Sequence, residues 1–551
     1  MLRNEAHNEG GAMPLAPSAH VDTFCRDNLP PAGEWPPLTF DLPELRYPER
    51  LNCAVELLRV ATDRTVEAYG PDRPCLIGAG ERLTYGDLRE RADRVAHVLV
   101  DDLGLVPGNR VLLRGPNNPW LVACWFGVLR AGCVAVTTMP LLRATELATI
   151  HEIARIDHSL VDHRFVDDLA AASIGAYTVY GGGTGDGLEA RAAARPGSFD
   201  PVPTSADDVA LLAFTSGTTG RPKATMHFHR DVLANADTFS RHILRPSSDD
   251  LFTGSPPLGF TFGLGGLVVF PMRVGAASLL LERGTPDAML PAITEHRPTV
   301  LFTAPTAYRA LLGLAQPGDL ASLGRCVSAG EPLPLPTWQA WHDTTGIKII
   351  DGIGSTEMLH IFVSAADDEI RPGATGRAVP GYEAAVLDDD GRPVPDGEIG
   401  RLAVRGPTGC RYLADERQKV YVQHGWNLTG DTYIRDADGY YWYQARNDDM
   451  IISAGFNIAG PEVEMALMRH PDVLECGVVG RPDPERTMSV HAFVVLRPGV
   501  HGSPEKAAEL RQHVRGTIAP YKAPRTVEFL DALPRTSTGK VQRYRLREMV
   551  S

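Results

Sequence analysis

Thr215-Ser216-Gly217-Thr218-Thr219-Gly220-Arg221-Pro222-Lys223 is a stretch whose residue types can hold a polyphosphate. Glycines permit positive φ and let a ligand come close to the backbone. Successive backbone N–H groups and the Thr and Ser hydroxyls can face an anion, and Lys223 adds a positive charge. The loop is not a Walker A motif, because Arg221-Pro222-Lys223 breaks the required spacing after Gly220. An apolar run, Val209 to Phe214, precedes it and reads as a buried strand that ends in the loop. Any one such loop is more often a polar hairpin turn, so the stretches downstream must decide.

Those stretches follow in a fixed order. Pro256-Pro257-Leu258-Gly259-Phe260-Thr261-Phe262-Gly263 is aromatic and glycine-rich. Ser328-Ala329-Gly330-Glu331-Pro332 follows a short strand, Arg325 to Val327. Asp351-Gly352-Ile353-Gly354-Ser355-Thr356-Glu357 carries a Gly-x-Thr-Glu element. Gly425-Trp426-Asn427-Leu428-Thr429-Gly430-Asp431 precedes Arg446, and Ser453-Ala454-Gly455-Phe456-Asn457 follows it. Pro534-Arg535-Thr536-Ser537-Thr538-Gly539-Lys540 lies near the C-terminus. With these motifs in this order, the chain resembles the adenylate-forming superfamily of acyl-CoA synthetases, adenylation domains and luciferases, from about Arg50 to Arg547. Within it the likeness is to benzoate- and 2-aminobenzoate-CoA ligases, on Ser18 to Phe24, Leu45 to Asn52, and Asp351 to Phe362.

The resemblance implies roles. Thr215, Ser216, Gly217, Thr218, Thr219, Gly220 and Lys223 would hold the departing pyrophosphate of ATP. Ser328, Ala329, Gly330, Glu331 and Pro332 would border adenine and the acyl group, with Asp351, Gly352 and Ile353 alongside. Thr356 would bond the α-phosphate and Glu357 would ligate Mg²⁺, a hard cation suited to one carboxylate plus phosphates; the plain alternative is that Ser355 and Glu357 cap a helix. Asp431 would accept the ribose hydroxyls and Arg446 would reach ribose or phosphate. Phe260, Gly354 and His360 would line the acyl pocket, although a lone histidine is more often structural. Lys540 would be the catalytic cation between acyl carboxylate and α-phosphate, where charge develops as two anions meet. Gly455 and Phe456 would border the tunnel for the coenzyme A thiol. Lys540 and Gly455 cannot share one site at once, and the family resolves this by rotating its small domain about a joint residue, here Asp448. There are two departures from the pattern: Ile353 stands where many members carry Tyr, and Thr487 follows Arg486 where many carry Gly.

These residues need elements to position them. Strands such as Arg110 to Leu113 and Val134 to Thr138 alternate with helical patterns such as Pro116 to Ala131, which implies parallel sheets flanked by helices. Asp87 reads as the N-cap of a helix over Arg89 to Leu99. Lys348 to Ile350 reads as a strand. The texture changes near Gly376, where short strands are separated by Asp390-Gly391 and Asp396-Gly397, both hairpin signals. Asp436-Ala437-Asp438-Gly439 has the start of a calcium loop but lacks its later ligands and reads as a turn. The expected organisation is α/β: a flexible lead-in over 1–40, a large N-terminal domain over 41–447 with two parallel-type sheets and a small β-barrel at 376–445, and a small mobile α+β C-terminal domain over 448–551.

Composition narrows the classes. The chain has 551 residues, 43% hydrophobic and 22% charged, in the range of soluble globular proteins. A formal charge of −14 argues against a generic nucleic-acid binder, so no nucleic-acid partner is expected. The most apolar stretch, Trp120 to Val136, is interrupted by Arg130 and too short to span a bilayer, so no membrane partner is expected either. Eight dispersed cysteines without Cys-x-x-Cys spacing fit a reducing cytoplasm. The expected function is ligation of an aryl acid to coenzyme A with ATP and Mg²⁺, with AMP released. Loading of a carrier protein, catalysis of one half-reaction only, and a nucleotide sensor without turnover are the rivals, and a homodimer is left open.

Overall fold

The computed structural model describes residues 15–63, 65–66, 69–183, 185–215, 221–446, 449–453, 456–483, 487–535 and 541–550, with the backbone alone at 452, 456, 457 and 487. A six-stranded sheet has the order Tyr177–Tyr180, His158–Asp162, Arg110–Arg114, Val134–Thr138, Val209–Thr215, Lys223–Phe228. Its first five strands are parallel and the last is antiparallel. Arg110–Arg114, Val134–Thr138 and His158–Asp162 are buried along their whole length, as strands of a sheet covered on both faces must be.

A nine-stranded sheet runs Arg377–Ala378, Ile361–Ser364, Ile350–Gly354, Arg325–Ser328, Val300–Thr303, Leu251–Gly254, Ala277–Leu279, Pro74–Gly78, Glu81–Thr84. Its middle is parallel and its outer pairs are antiparallel. The helix Pro119–Arg130 belongs to the core that links both sheets and is buried on nearly every side, so it is an interior helix. It begins at Pro119 rather than Pro116, because the Asn118 side chain accepts the Leu121 N–H at 2.9 Å and Pro119 costs no helical hydrogen bond at the first position.

Two other expected boundaries move. The helix expected from Arg89 is Tyr85–His97, and its N-cap is Thr84, not Asp87. Asp87 is the third helical residue and bonds back to the Thr84 N–H at 2.9 Å, completing a capping box. The strand expected at Lys348 to Ile350 is Ile350–Gly354, running on through two glycines of low strand propensity. Antiparallel pairing of Gly352, Ile353 and Gly354 with Ile361–Ser364 draws them into the sheet. No helix follows Ser355 and Glu357: the connection 355–360 is a hairpin turn, with Leu359 in the left-handed region at φ 72°.

The region after Gly376 is an antiparallel sheet. Glu383–Leu387 pairs with Ile399–Arg405, which pairs with Trp426–Arg435; the far edge of that long strand takes Val422–Gln423 at one end and Tyr441–Arg446 at the other. Register shifts at Arg401/Ala403 and Thr432/Tyr433 bend it. Asp436 to Gly439 forms the tip of the hairpin, with Gly439 at φ 82°.

Beyond it, Met450–Ser453, Phe456–Ala459, Val473–Asp483, Thr487–Leu496 and Thr526–Phe529 form a further sheet carrying the helices Gly460–Met468, Pro504–Thr517 and Arg543–Val550. This smaller unit has its own core, including Ile458, Leu467, Val478, Val494 and Val514. It touches the larger one where Arg309 donates to the Leu474 carbonyl at 3.2 Å. Among the described residues no helix is long and apolar enough to cross a membrane.

Candidate active site

The polyphosphate-type loop joins two antiparallel strands, Val209–Thr215 and Lys223–Phe228, at the edge of the six-stranded sheet. Thr215 and Lys223 are cross-strand partners at the end of that ladder. Ser216, Gly217, Thr218, Thr219 and Gly220 lie outside the described residues. The flank that is described is pinned: Arg417 donates to the carbonyls of Arg221 at 3.0 Å and Pro222 at 3.2 Å.

Lys223 reaches away from its strand to Glu357. Its ammonium stands 3.2 Å from Glu357 Oε1, and the pair is largely buried. Tyr412 joins them: its hydroxyl donates to Glu357 Oε1 at 2.5 Å and accepts from Lys223 Nζ. The ammonium also sits over the rings of Tyr412 and Tyr421, 4.3 and 5.4 Å from their centroids. Burial, then the Glu357 charge, hold the Tyr412 phenol far above its usual pKa, so it stays a protonated donor. Tyr421 is tied to the same turn by Ser355, hydroxyl to hydroxyl at 3.0 Å.

The turn that carries Thr356 and Glu357 is fastened from behind. The His227 Nε2–H donates to the Thr356 carbonyl at 2.7 Å. Asp231 faces His227 and forms a fully buried ion pair with Arg411. Arg411 is held against strand Lys223–Phe228 by a backbone bond from Met226 N–H to the Arg411 carbonyl at 2.8 Å. Tyr412, Tyr421, His227, Asp231 and Arg411 carry no motif visible at the sequence level. The pairing of segment 410–413 with Lys223–Phe228, across almost two hundred positions of chain, is what brings them in.

On the other side of the same turn, His360 enters an aromatic enclosure. Its ring centroid is 4.5 Å from Phe270, 5.4 Å from Phe239, 5.6 Å from Phe262 and 6.4 Å from Phe302. Burial pushes its pKa down to about 3, so the imidazole is neutral at physiological pH. The helix opposite approaches closely because residues 265 and 266 are glycines. A Cβ on Gly265 would lie 2.4 Å from the His360 ring, and one on Gly266 2.5 Å from that of Phe302. Gly354 backs against the His360 carbonyl, where a Cβ would meet the oxygen at 2.5 Å. Phe260 is partly buried at the N-terminus of the helix that bears Phe262.

Ser328 and Asp351 are neighbours in the parallel ladder at the strand ends. Burial pushes the Asp351 carboxyl up to about 7, relieved in part by the Gly352 N–H and the Ser328 hydroxyl. Ala329, Gly330, Glu331 and Pro332 follow in the connecting loop, where Glu331 accepts the Thr306 hydroxyl at 3.0 Å. Ile353 packs its aliphatic side chain on the main core. Asp431 and Arg446 face each other across a ladder, 3.5 Å apart, and Asp431 is buried. Lys540, Asp448 and Gly455 lie outside the described residues, as do Arg486 and the side chain of Phe456. Arg535 and Val541, the described residues on either side of 536–540, form an antiparallel bridge.

The donor set fits a hard divalent cation. Glu357 offers a carboxylate whose described partners, Tyr412 and Lys223, both fall on Oε1. One carboxylate with phosphate oxygens is how Mg²⁺ is commonly held.

Comparison with known proteins follows the same lines. Residues 62–412 match the AMP-binding enzyme family and residues 462–540 its C-terminal domain. The chain is 34% identical over 518 residues to a benzoate–CoA ligase of Thauera aromatica, covering 92% of this chain and 97% of that protein. Among solved structures it is similar to the anthranilate CoA ligase AuaEII in complex with anthranoyl-AMP, with TM-score 0.86, 34% identity, and coverage of 92% of this chain and 98% of that one. It is also similar to a benzoate CoA ligase from Burkholderia xenovorans LB400, with TM-score 0.83, 33% identity, and coverage of 90% and 100%. Family matches that span both units, on strand orders that converge on the Lys223–Glu357 cluster, make this chain a member of the AMP-binding enzyme family.

Proposed function

We propose that this protein is an AMP-forming acid–thiol ligase that activates an aryl acid, benzoate or aminobenzoate in type, and passes it to coenzyme A. One observation carries the reading: a single hairpin, Ile350–Gly354 with Ile361–Ser364, sets Glu357 in a charged cluster and His360 in an aromatic enclosure, three residues apart. A flat apolar acid lodged beside His360 would have its carboxylate turned toward the charged side.

In the first step the acyl carboxylate attacks the α-phosphorus of ATP, giving acyl-adenylate and pyrophosphate. Lys223 and the loop before it hold the leaving phosphates by charge and N–H groups. Thr356 bonds the α-phosphate, and Glu357 offers the oxygen that would hold Mg²⁺. When bound, that ion neutralises charge between the phosphates. Asp431 takes the ribose hydroxyls, Arg446 ribose or phosphate, and Ser328 to Pro332 with Asp351 to Ile353 border the adenine. His360, neutral and enclosed, shapes the acyl pocket with Phe260 and Gly354 and is no proton carrier. Lys540 supplies the cation between the reacting anions. In the second step the unit 448–551 turns about Asp448 relative to 41–447. Gly455 and Phe456 then border the thiol's path, and the thiol displaces AMP. Eight free cysteines, all buried, accord with a reducing cytoplasm.

A panel of aromatic and aliphatic acids, assayed for ATP–pyrophosphate exchange and for AMP release with and without coenzyme A, tests this. Aromatic acids should drive exchange, and coenzyme A should be needed for sustained AMP release. Exchange without thioester formation would point to a carrier-protein acceptor or a single half-reaction. Lys540→Ala should lower exchange by about 100-fold or more while thioester formation from supplied acyl-adenylate persists. Unchanged exchange in that variant would remove Lys540 from the chemistry.

A further inference from the structure

Lys223 and Glu357 present a physical problem. Opposite charges 3.2 Å apart in a largely buried site attract strongly. A pair that neutralises itself has little left for a nucleotide or a cation. Tyr412 completes a triangle with them, its hydroxyl bonded to both. A phenol has one proton to give and lone pairs to accept with. Here the proton goes to Glu357 Oε1 at 2.5 Å, and a lone pair takes the Lys223 ammonium.

The phenol is fixed where the ammonium is not. The Tyr412 N–H donates to Gln418 Oε1 at 2.9 Å, and its backbone bridges Thr225 on the strand that begins with Lys223. The residues on either side, Arg411 and Leu413, bond to Met226 and Ala224 of that strand. Tyr421 closes the other side of the ammonium and is itself held by Ser355, two residues before Glu357. Lys223 is a flexible side chain lodged in a rigid, mostly aromatic cage.

We propose that the Tyr412 hydroxyl is a positioning group that shares the Lys223 ammonium with Glu357 and holds Oε1 in place when the ammonium leaves the pair. When a Mg²⁺–triphosphate enters, the ammonium leaves the phenol for the phosphates. The phenol stays on Oε1, so the other carboxylate oxygen is aimed at the cation. This rests on reading Lys223 and Glu357 as the phosphate- and cation-side groups of the site.

The test is calorimetric binding to the full chain, with Tyr412→Phe retaining the ring of the cage. One probe is a non-hydrolysable ATP analogue with Mg²⁺; the other is AMP alone, which lacks the phosphates that Lys223 would meet. Loss of one hydrogen bond to a charged group should weaken the Mg²⁺–analogue by about 10-fold or more, with AMP affinity unchanged. In Lys223→Met or Glu357→Gln backgrounds Tyr412→Phe should add little, because the bridge has already lost an end. Equal weakening of AMP and the Mg²⁺–analogue would make Tyr412 merely structural, and no weakening of either would overturn the proposal outright. If Lys223→Met and Glu357→Gln each leave Mg²⁺–analogue affinity unchanged, the site reading itself falls and takes the bridge with it.

Discussion

Asp351 is the second residue of strand Ile350–Gly354, and burial raises its pKa to about 7. The sign of its effect on stability follows. The folded chain keeps the proton up to about pH 7, whereas the unfolded chain releases it near the ordinary carboxylate value. Its contribution is therefore fully present at pH values below the unfolded pKa, declines as pH rises toward the folded one, and is level above it. Asp351→Asn should remove that slope. Denaturant unfolding of both proteins across this range should show the variant gaining on the parent as pH rises, and parallel curves would sink the assignment. Asp351 was legible as a motif residue; its elevated pKa was not, since burial belongs to the packed sheet. His360 teaches the same at residue scale: its number was readable, its neutrality only from the four rings around it.

At the scale of elements, the segment 410–413 acts as a staple. Met226 N–H donates to the Arg411 carbonyl at 2.8 Å and Leu413 N–H to the Ala224 carbonyl at 2.9 Å, so strand Lys223–Phe228 gains a partner beyond its own sheet. Arg411 seals the joint through its buried pair with Asp231 and a stacking contact with Phe228, 4.0 Å from the ring. Removing Arg411 leaves the Asp231 charge buried without its cation, although the Phe228 N–H still donates to it at 2.9 Å. Arg411→Met should cost about 3–5 kcal/mol of unfolding free energy, read by denaturant titration. A change within error would show that Asp231 finds another partner. Element types were well legible: strands Val134–Thr138 and Val209–Thr215 fall where the apolar runs put them, because buried runs need only local sequence to be seen. Ends were less so. Thr84 replaced Asp87 as a cap, and the strand at Ile350 ran through its glycines, because capping geometry and ladder partners are decided by atoms beyond the local pattern.

For the molecule as a whole, the smaller unit has a core of its own and meets the larger one through surface contacts such as Arg309 to Leu474. Separate cores allow one body to turn on the other without unpacking either. If Asp448 is the joint, Asp448→Pro should restrict its φ and hold the chain to one arrangement. ATP–pyrophosphate exchange should then persist while thioester formation from acyl-adenylate is lost. Loss of both, or of neither, would place the joint elsewhere.

Local pattern showed the class of fold, the order of the motifs and Lys223 as a candidate, because these depend on short strings and their succession, while Thr356, Glu357 and Lys540 became candidates through the family resemblance that those ordered motifs carry. Only the tertiary structure decided which groups meet Glu357. Tyr412 and Tyr421 arrive from a distant segment through cross-strand pairing, and their meeting with Lys223 is a property of sheet register and burial that no spacing along the chain encodes.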